Sequence, residues 1–191
     1  SMQIRNDMQR YGAVAQLFHW AIVVLVITQF VLATQAHDLP NGLAKLQLLA
    51  QHKSVGITIL GLAVMRLAWR FANPVPPPPT GTSHWQLWAA RWSHFALYAL
   101  LFIMPVLGWL MSSARNFPVS WFGLVTLPDF IAPSERAFDF LHAAHATFAK
   151  VLALVAIIHA GAALKHHFID RNNVLRRMLP VRLKPEPTTR D

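Results

Sequence analysis

Four long apolar stretches, separated by polar or proline-rich links, set the rhythm of this 191-residue chain. They run over about 13–34, 51–71, 92–112 and 140–168. Each is long enough for a helix to cross the roughly 30 Å of hydrocarbon in a bilayer, which takes about 20 residues. The pattern predicts an all-α, integral membrane four-helix bundle forming one domain over 1–191, with a basic tail at 169–191. The links read differently from the helices. Residues 35–50 form a short outer loop with a turn at Pro40-Asn41-Gly42. NPVPPPPTGTSHW is a stiff polyproline-like connector. Ser113 to Asp139 is the longest link, and its apolar WFGLVTLPDFI is expected to lie along the membrane surface over the outer mouth. Pro105 and Gly108 break the third helix midway, and Pro105 bends it.

Composition agrees with burial in lipid: 54% of residues are hydrophobic and 13% charged, against about a quarter charged in soluble domains. A formal net charge of +9 invites a nucleic-acid reading, but its distribution opposes one. Arg5, Arg10, Arg66, Arg70, Arg91, Lys165, Arg171, Arg176, Arg177, Arg182, Lys184 and Arg190 fall on one side of the bundle. Lys45, Lys53, Arg115 and Arg136 fall on the other, and Lys150 lies inside the fourth helix. The positive-inside rule then predicts both termini in the cytoplasm, and the distribution opposes a nucleic-acid partner. The first apolar stretch is too long for a cleaved signal core, so it reads as an uncleaved anchor, and Ser1-Met2 reads as an expression scar. The chain has no cysteine. That removes covalent C-x-x-C-H haem attachment and iron–sulfur ligation, so any haem is held by histidine or methionine, as a b-type haem.

Candidate chemistry lies in histidines placed where they are costly. The fourth stretch carries His142, His145, His159, His166 and His167, and an ionisable group in the membrane requires a partner. His145 and His159 are 14 residues apart; they stand about 40° from a common line and roughly 21 Å apart along the axis. With the N-terminus inside, His19 of helix 1 matches the height of His159 on the inner side, and His52 of helix 2 matches His145 on the outer side. Two imidazoles facing each other at one level from different helices are what a bis-histidine haem requires. The spacing therefore predicts an inner haem on His19 and His159 and an outer haem on His52 and His145, with the haem iron as the bound metal. Zinc fits less well, because its sites usually draw on Cys or carboxylates as well, and no acid lies within the spans. Gly56 and Gly61 leave smooth patches for a flat ring or a neighbouring helix.

Other polar residues stand around this frame. His142 competes with His145 but sits about 100° off the line of His159. His94 rivals His19 from the edge of helix 3, beside Arg91, where it reads as interfacial. Arg66 is costly where it sits unless it pairs with an anion such as a haem propionate or snorkels to the interface, and snorkelling accounts for Arg70 more readily. His166 follows the His159 line toward the inner side, suited to a propionate or a quinone carbonyl, or to an interfacial cation in the last turn of the helix. Lys150 points about 140° from His145 and reads first as snorkelling outward, while it is also the outer-side candidate for a substrate role. His37 and His84 are assigned to loops.

His19-Trp20, the run HKSVGITILGLAVMRLAWR, the MPVLGW of helix 3, and His145 and His159 followed by KHHFIDRNNVLRRMLP together resemble the bacterial cytochrome b-561 family. The likeness covers nearly the whole chain. It implies a four-helix bundle with two b haems, with His19, His52, His145 and His159 at the axial-ligand positions. Within the family the chain is most similar to the superoxide oxidase type, which implies electron transfer from superoxide outside to ubiquinone in the membrane. The chain departs from the pattern in carrying Ala-His-Ala at His145 where Trp-His-Glu is common, and in Lys150, which the pattern does not contain.

The expected function is therefore a membrane oxidoreductase passing electrons from a periplasmic donor, superoxide, to ubiquinone. The alternative is a cytochrome b subunit coupling a periplasmic dehydrogenase or hydrogenase to the quinone pool. A haem-free histidine transporter or proton relay is disfavoured by the absence of acids in the spans.

Overall fold

The computed structural model describes residues 3–183; Lys184 and Arg190 of the basic tail, and Ser1-Met2, lie outside the described residues. Four helices carry the fold: α1 (Ala13–Asp38), α2 (Leu43–Phe71), α3 (His84–Ala114) and α4 (Glu135–Phe168). Each is long and apolar enough to cross a membrane. All four run further than the apolar stretches, because the polar flanks continue the helices beyond the hydrocarbon. α2 begins at Leu43, so most of the expected 35–50 loop is helical and the turn shrinks to 39–42. His37 and His84, expected in loops, lie in the last turn of α1 and at the start of α3.

Local signals account for the helix ends. The Ser83 N–H donates to Gln86 Oε1 at 3.2 Å at the start of α3, half of a capping box. Ser134 Oγ accepts from Ala137 N at 3.2 Å at the start of α4, and Glu135 in the first turn suits the positive end of the helix dipole. Pro105 lies inside α3 without ending it.

Packing is uneven. α1 packs on α2, α3 on α4, and α2 on α3. The core cluster is Ile22 and Leu32 of α1, Val55, Ile59 and Ala63 of α2, and Leu101 of α3. No residue of α4 belongs to it. Among the described residues, α4 is held through α3 and does not pack closely against α1 or α2. The faces of α1 and α2 turned toward α4 are where the histidines emerge.

The outer link is shorter and more ordered than its composition suggests. Ser120–Trp121 pairs antiparallel with Val125–Thr126 as a small hairpin (β1, β2). Its turn holds Phe122 at φ 47° and Gly123 at φ 72°, left-handed values that glycine adopts without steric cost. The hairpin is hydrogen-bonded onto α2 rather than resting on the membrane surface alone. Ser54 Oγ accepts from Phe122 N at 2.9 Å and donates to the Ser120 carbonyl at 3.2 Å. Trp121 Nε1 donates to Thr58 Oγ1 at 3.0 Å.

At the opposite end the two terminal segments interlock. Arg10 Nη2 donates to the Leu179 carbonyl at 2.9 Å, and Trp20 Nε1 to the Met178 carbonyl at 2.7 Å. Asn6, buried, accepts from Gly12 N at 2.9 Å and donates to the Pro74 carbonyl at 3.0 Å. At Gly12 any Cβ would collide with the backbone of Ile4 and Arg5. The polar lead-in, the proline connector and the segment after α4 thus form one lid over this end, the one expected to be inner.

Candidate functional site

Four imidazoles from three helices meet in two facing pairs. His19 of α1 and His159 of α4 have ring centroids 6.4 Å apart with planes at 58°. His52 of α2 and His145 of α4 have centroids 6.2 Å apart with planes at 74°. The pairs lie at two levels of α4, separated by the roughly 21 Å that 14 residues of helix span. The pairs predicted from helix heights are the pairs the fold brings together. The levels need adjustment for the outer pair, since His52 stands nine residues inside the lengthened α2 and His145 ten residues inside the lengthened α4, neither at the helix mouth.

The rings are half-buried, and Nδ1 of His19, of His52 and of His145 is buried without a hydrogen-bond partner among the described residues. A buried polar nitrogen without a partner is costly, and in a native fold it calls for an explanation. The surroundings are shaped around these rings. A Cβ built on Gly108 of α3 would stand 3.5 Å from His145 Cε1, so the glycine lets α3 pass close beside that ring. Gln29 Nε2 donates to the His52 carbonyl at 2.9 Å, and Gly56 leaves room for that amide 3.0 Å from its own absent Cβ. Gly56 thus serves approach of α1, whereas nothing stands within 4 Å of a Cβ at Gly61.

Residues 10–181 match the prokaryotic cytochrome b561 family. The chain is 35% identical over 188 residues to "Cytochrome b561 homolog 2" of Escherichia coli (strain K12), covering 93% of this chain and 95% of that protein. It is 30% identical over 180 residues to "Cytochrome b561 homolog 1" of the same organism, covering 92% and 99%. A third relative, "Probable superoxide oxidase CybB" of Yersinia pestis, is 28% identical over 172 residues, covering 90% and 97%. This chain belongs to the prokaryotic cytochrome b561 family. It is a multi-pass protein of the bacterial inner membrane that takes part in electron transfer.

Membership in the cytochrome b561 family implies haem b, and the residues present fit it. Each facing pair, with ring centroids 6.4 and 6.2 Å apart, leaves room for a metal ion that could take a nitrogen from both rings, so His19 with His159 and His52 with His145 are the residues that would hold it. The unpartnered ring nitrogens and the stand-off of α4 from α1 and α2 suit a planar group gripped between helices.

The remaining sequence candidates separate. Arg66 lies with its guanidinium 5.5 Å from the Tyr98 ring centre. It shares a narrow inner-end cavity with Arg70, Trp69, Tyr98, Tyr11 and Asn6. Trp69 Nε1 is buried there without a partner, a donor that sequence reasoning missed because tryptophan near a span end reads as an interface anchor. His94 is not an interfacial residue at a helix edge: α3 starts ten residues earlier, and the His94 ring stands 5.3 Å from that of His159. His142 stacks on Phe138 at 5.6 Å and 17°, turned away from the His145 pairing. Lys150 is exposed on the far side of α4 from both pairs. His166 is tied to Asp170, with Nδ1 to Oδ2 at 2.8 Å.

Proposed function

We propose that this cytochrome b561 carries two b haems, the inner one held by His19 and His159 and the outer one by His52 and His145, and moves electrons from superoxide outside to ubiquinone at the inner end. The observation that carries the reading is the stacking of two facing imidazole pairs along one helix. A b haem in each place supplies a one-electron carrier inside a low-dielectric bundle. The histidines of α1 and α2 grip from one side and those of α4 from the other, and the core between α1, α2 and α3 fixes their spacing. Arg66, Arg70 and Trp69 provide cationic and N–H donors for the carboxylates of a propionate at the inner end.

The outer end is assigned to the donor. Two superoxide anions each lose one electron and leave as O2, and ubiquinone takes two electrons and two protons to become ubiquinol. Lys53, half-buried beside His52, offers a positive charge next to the outer pair. Arg115 contributes less than its charge suggests, because Glu135 Oε1 accepts from its Nη1 at 3.2 Å. Asp129 likewise offsets part of the Lys53 charge, so what remains of the steering field for an anion rests on Lys53 and Arg136. Lys150 is turned from the pairs, so its position supports a contact with lipid and not with the donor. The name of the Yersinia pestis relative supports superoxide as the donor. At the inner end His166 and His94 stand nearest the place proposed for the quinone. The segments before α1 and after α4 meet on one side of the bundle, and the excess of Lys and Arg there supports a cytoplasmic orientation.

One observation favours a second reading, the cytochrome b subunit of a periplasmic dehydrogenase or hydrogenase. The hairpin and the chain after it expose Phe122, Leu124, Val125 and Phe130 at the outer end, an apolar surface suited to a docked protein.

The deciding test is a reduced-minus-oxidised spectrum with haem quantitation on purified protein, using superoxide as reductant and then adding ubiquinone. Two haems per chain that superoxide reduces and quinone reoxidises are expected. Two haems that respond to dithionite or quinol but not to superoxide would transfer the assignment to the subunit reading, and no haem would end both.

A further inference from the structure

The chain turns sharply just beyond α4, and the turn is built around one side chain. Arg171 takes φ 53°, a left-handed value that a non-glycine residue adopts at a cost. The reversal carries Asp170 and Asn172 back over the last turn of the helix. The Asn172 N–H donates to the His166 carbonyl at 3.0 Å. Asn172 Nδ2 lies 3.1 Å from His166 Nδ1, and Asn172 Oδ1 accepts from Val174 N at 3.1 Å. Asp170 Oδ2 stands 2.8 Å from the same Nδ1. The Asp170 carboxylate also receives Lys165 Nζ, at 2.9 Å to each oxygen.

Two groups compete for Nδ1, the neutral Asn172 amide at 3.1 Å and the Asp170 carboxylate at 2.8 Å; the shorter, charge-assisted bond to the carboxylate is the stronger and selects one state of the imidazole. The carboxylate accepts the Nδ1 proton, which leaves Nε2 as the basic nitrogen, and it stabilises the cation formed when Nε2 takes a proton. His166 is half-buried and Asp170 is open to water. The pair therefore joins the aqueous inner face to the end of the helix that carries both proposed haem ligands of α4.

We propose that Asp170 is a positioning residue that holds His166 with Nδ1–H toward itself, so that His166 Nε2 delivers protons from the aqueous face to the quinone as it is reduced. The inference rests on the assignment of ubiquinone to the inner end. Each ubiquinone takes two electrons and two protons, and His166 passes one proton at a time from water to a quinone oxygen, returning to its neutral Nδ1–H form after each transfer. Lys165 keeps the Asp170 carboxyl below the ordinary carboxylate range, chiefly through its hydrogen bond and then through its charge with that of His166. The acceptor of the Nδ1 proton is accordingly ionised throughout the neutral range. Lys165 and His166 are the charged or titratable groups that act on this carboxylate.

The test uses intact protein purified with its haems. The haems are reduced, ubiquinone-1 is added in stopped flow, and reoxidation is followed from pH 6 to 9 in H2O and D2O. Removing a positioned proton donor is expected to slow reoxidation by roughly tenfold or more. Asp170→Asn should show this loss with an enlarged solvent isotope effect and an altered pH profile, while its haem spectrum and its reduction by dithionite stay as in the wild type. Asp170→Glu should restore most of the rate, and His166→Gln should match Asp170→Asn. If Asp170→Asn reoxidises like the wild type across the pH range, the relay is wrong. If it is slow with an unchanged isotope effect and pH profile, and Asp170→Glu is equally slow, Asp170 only shapes the turn and the inference is overturned. Wild-type haems that ubiquinone does not reoxidise would instead refute the assignment of the acceptor itself, and the relay with it.

Discussion

Three of the four paired histidines differ from ordinary buried polar residues in what their nitrogens lack. A histidine kept in a bundle for structure donates or accepts across to a neighbour, as Gln29 does to the His52 carbonyl. His19, His52 and His145 each bury Nδ1 with no such partner. Loss of one imidazole from a pair is therefore expected to remove one haem and spare the other, since the pairs draw on different levels. If each proposed haem draws on both histidines of its pair, His52→Ala and His145→Ala should each lower haem content from about two per chain to about one, and so should His19→Ala and His159→Ala. Pyridine haemochrome assay against protein concentration measures this. His142→Ala should leave both haems in place, because that ring stacks on Phe138. Loss of a haem on that substitution would reverse the ranking of His142 against His145.

At the scale of the element, α3 is the helix that shapes the outer pair without contributing to it. Gly108 passes beside His145 so closely that only a small side chain fits. Gly108→Ala would place its Cβ 3.5 Å from the ring, an ordinary contact, and should bind both haems normally. Gly108→Leu overfills the space and should cost about 1–3 kcal/mol of stability. It should also shift the midpoint potential of the outer haem alone in a redox titration. Equal shifts of both haems would mean that α3 acts on the whole bundle and not on the His145 ring. Trp20 ties α1 to the segment after α4 through a single 2.7 Å hydrogen bond to the Met178 carbonyl. Trp20→Phe should lower stability by about 1 kcal/mol, the usual net worth of such a bond. A thermal melt in detergent that leaves the transition where it was would remove that tie from the account.

For the whole molecule, the packing core lies between α1, α2 and α3, and α4 is attached mainly along α3. Stability should then depend on what is bound between α4 and the other helices. Protein made in haem-starved cells is expected to melt at lower temperature than haem-replete protein and to regain the difference on adding haem, as binding to the folded state requires. Equal melting of the two preparations would show that α4 is held without help from the cofactor. The lid joins the segment before α1 to the segment after α4 on one side of the bundle, so reporters fused to either end should give the same topological answer, and a cytoplasmic orientation predicts fluorescence from a cytoplasm-dependent protein at both.

Much of this was legible in the chain before any fold was known. Hydrophobic runs longer than a bilayer is thick dictate membrane helices, because backbone groups in lipid must be bonded within the segment. The 14-residue spacing of His145 and His159 and the heights of His19 and His52 then pick out the facing pairs, since helix rise and periodicity are nearly invariant. Helix ends were harder to read, because polar flanks such as those around His37, His84 and His94 extend helices past the hydrocarbon without an apolar signal. Tertiary structure alone decided the hairpin seated on Ser54 and Thr58, the lid joining Asn6, Pro74 and Met178, and the capture of His166 by Asp170. Each depends on a residue in a loop or a turn whose partner is set by where the chain returns, and local periodicity carries no information about that return.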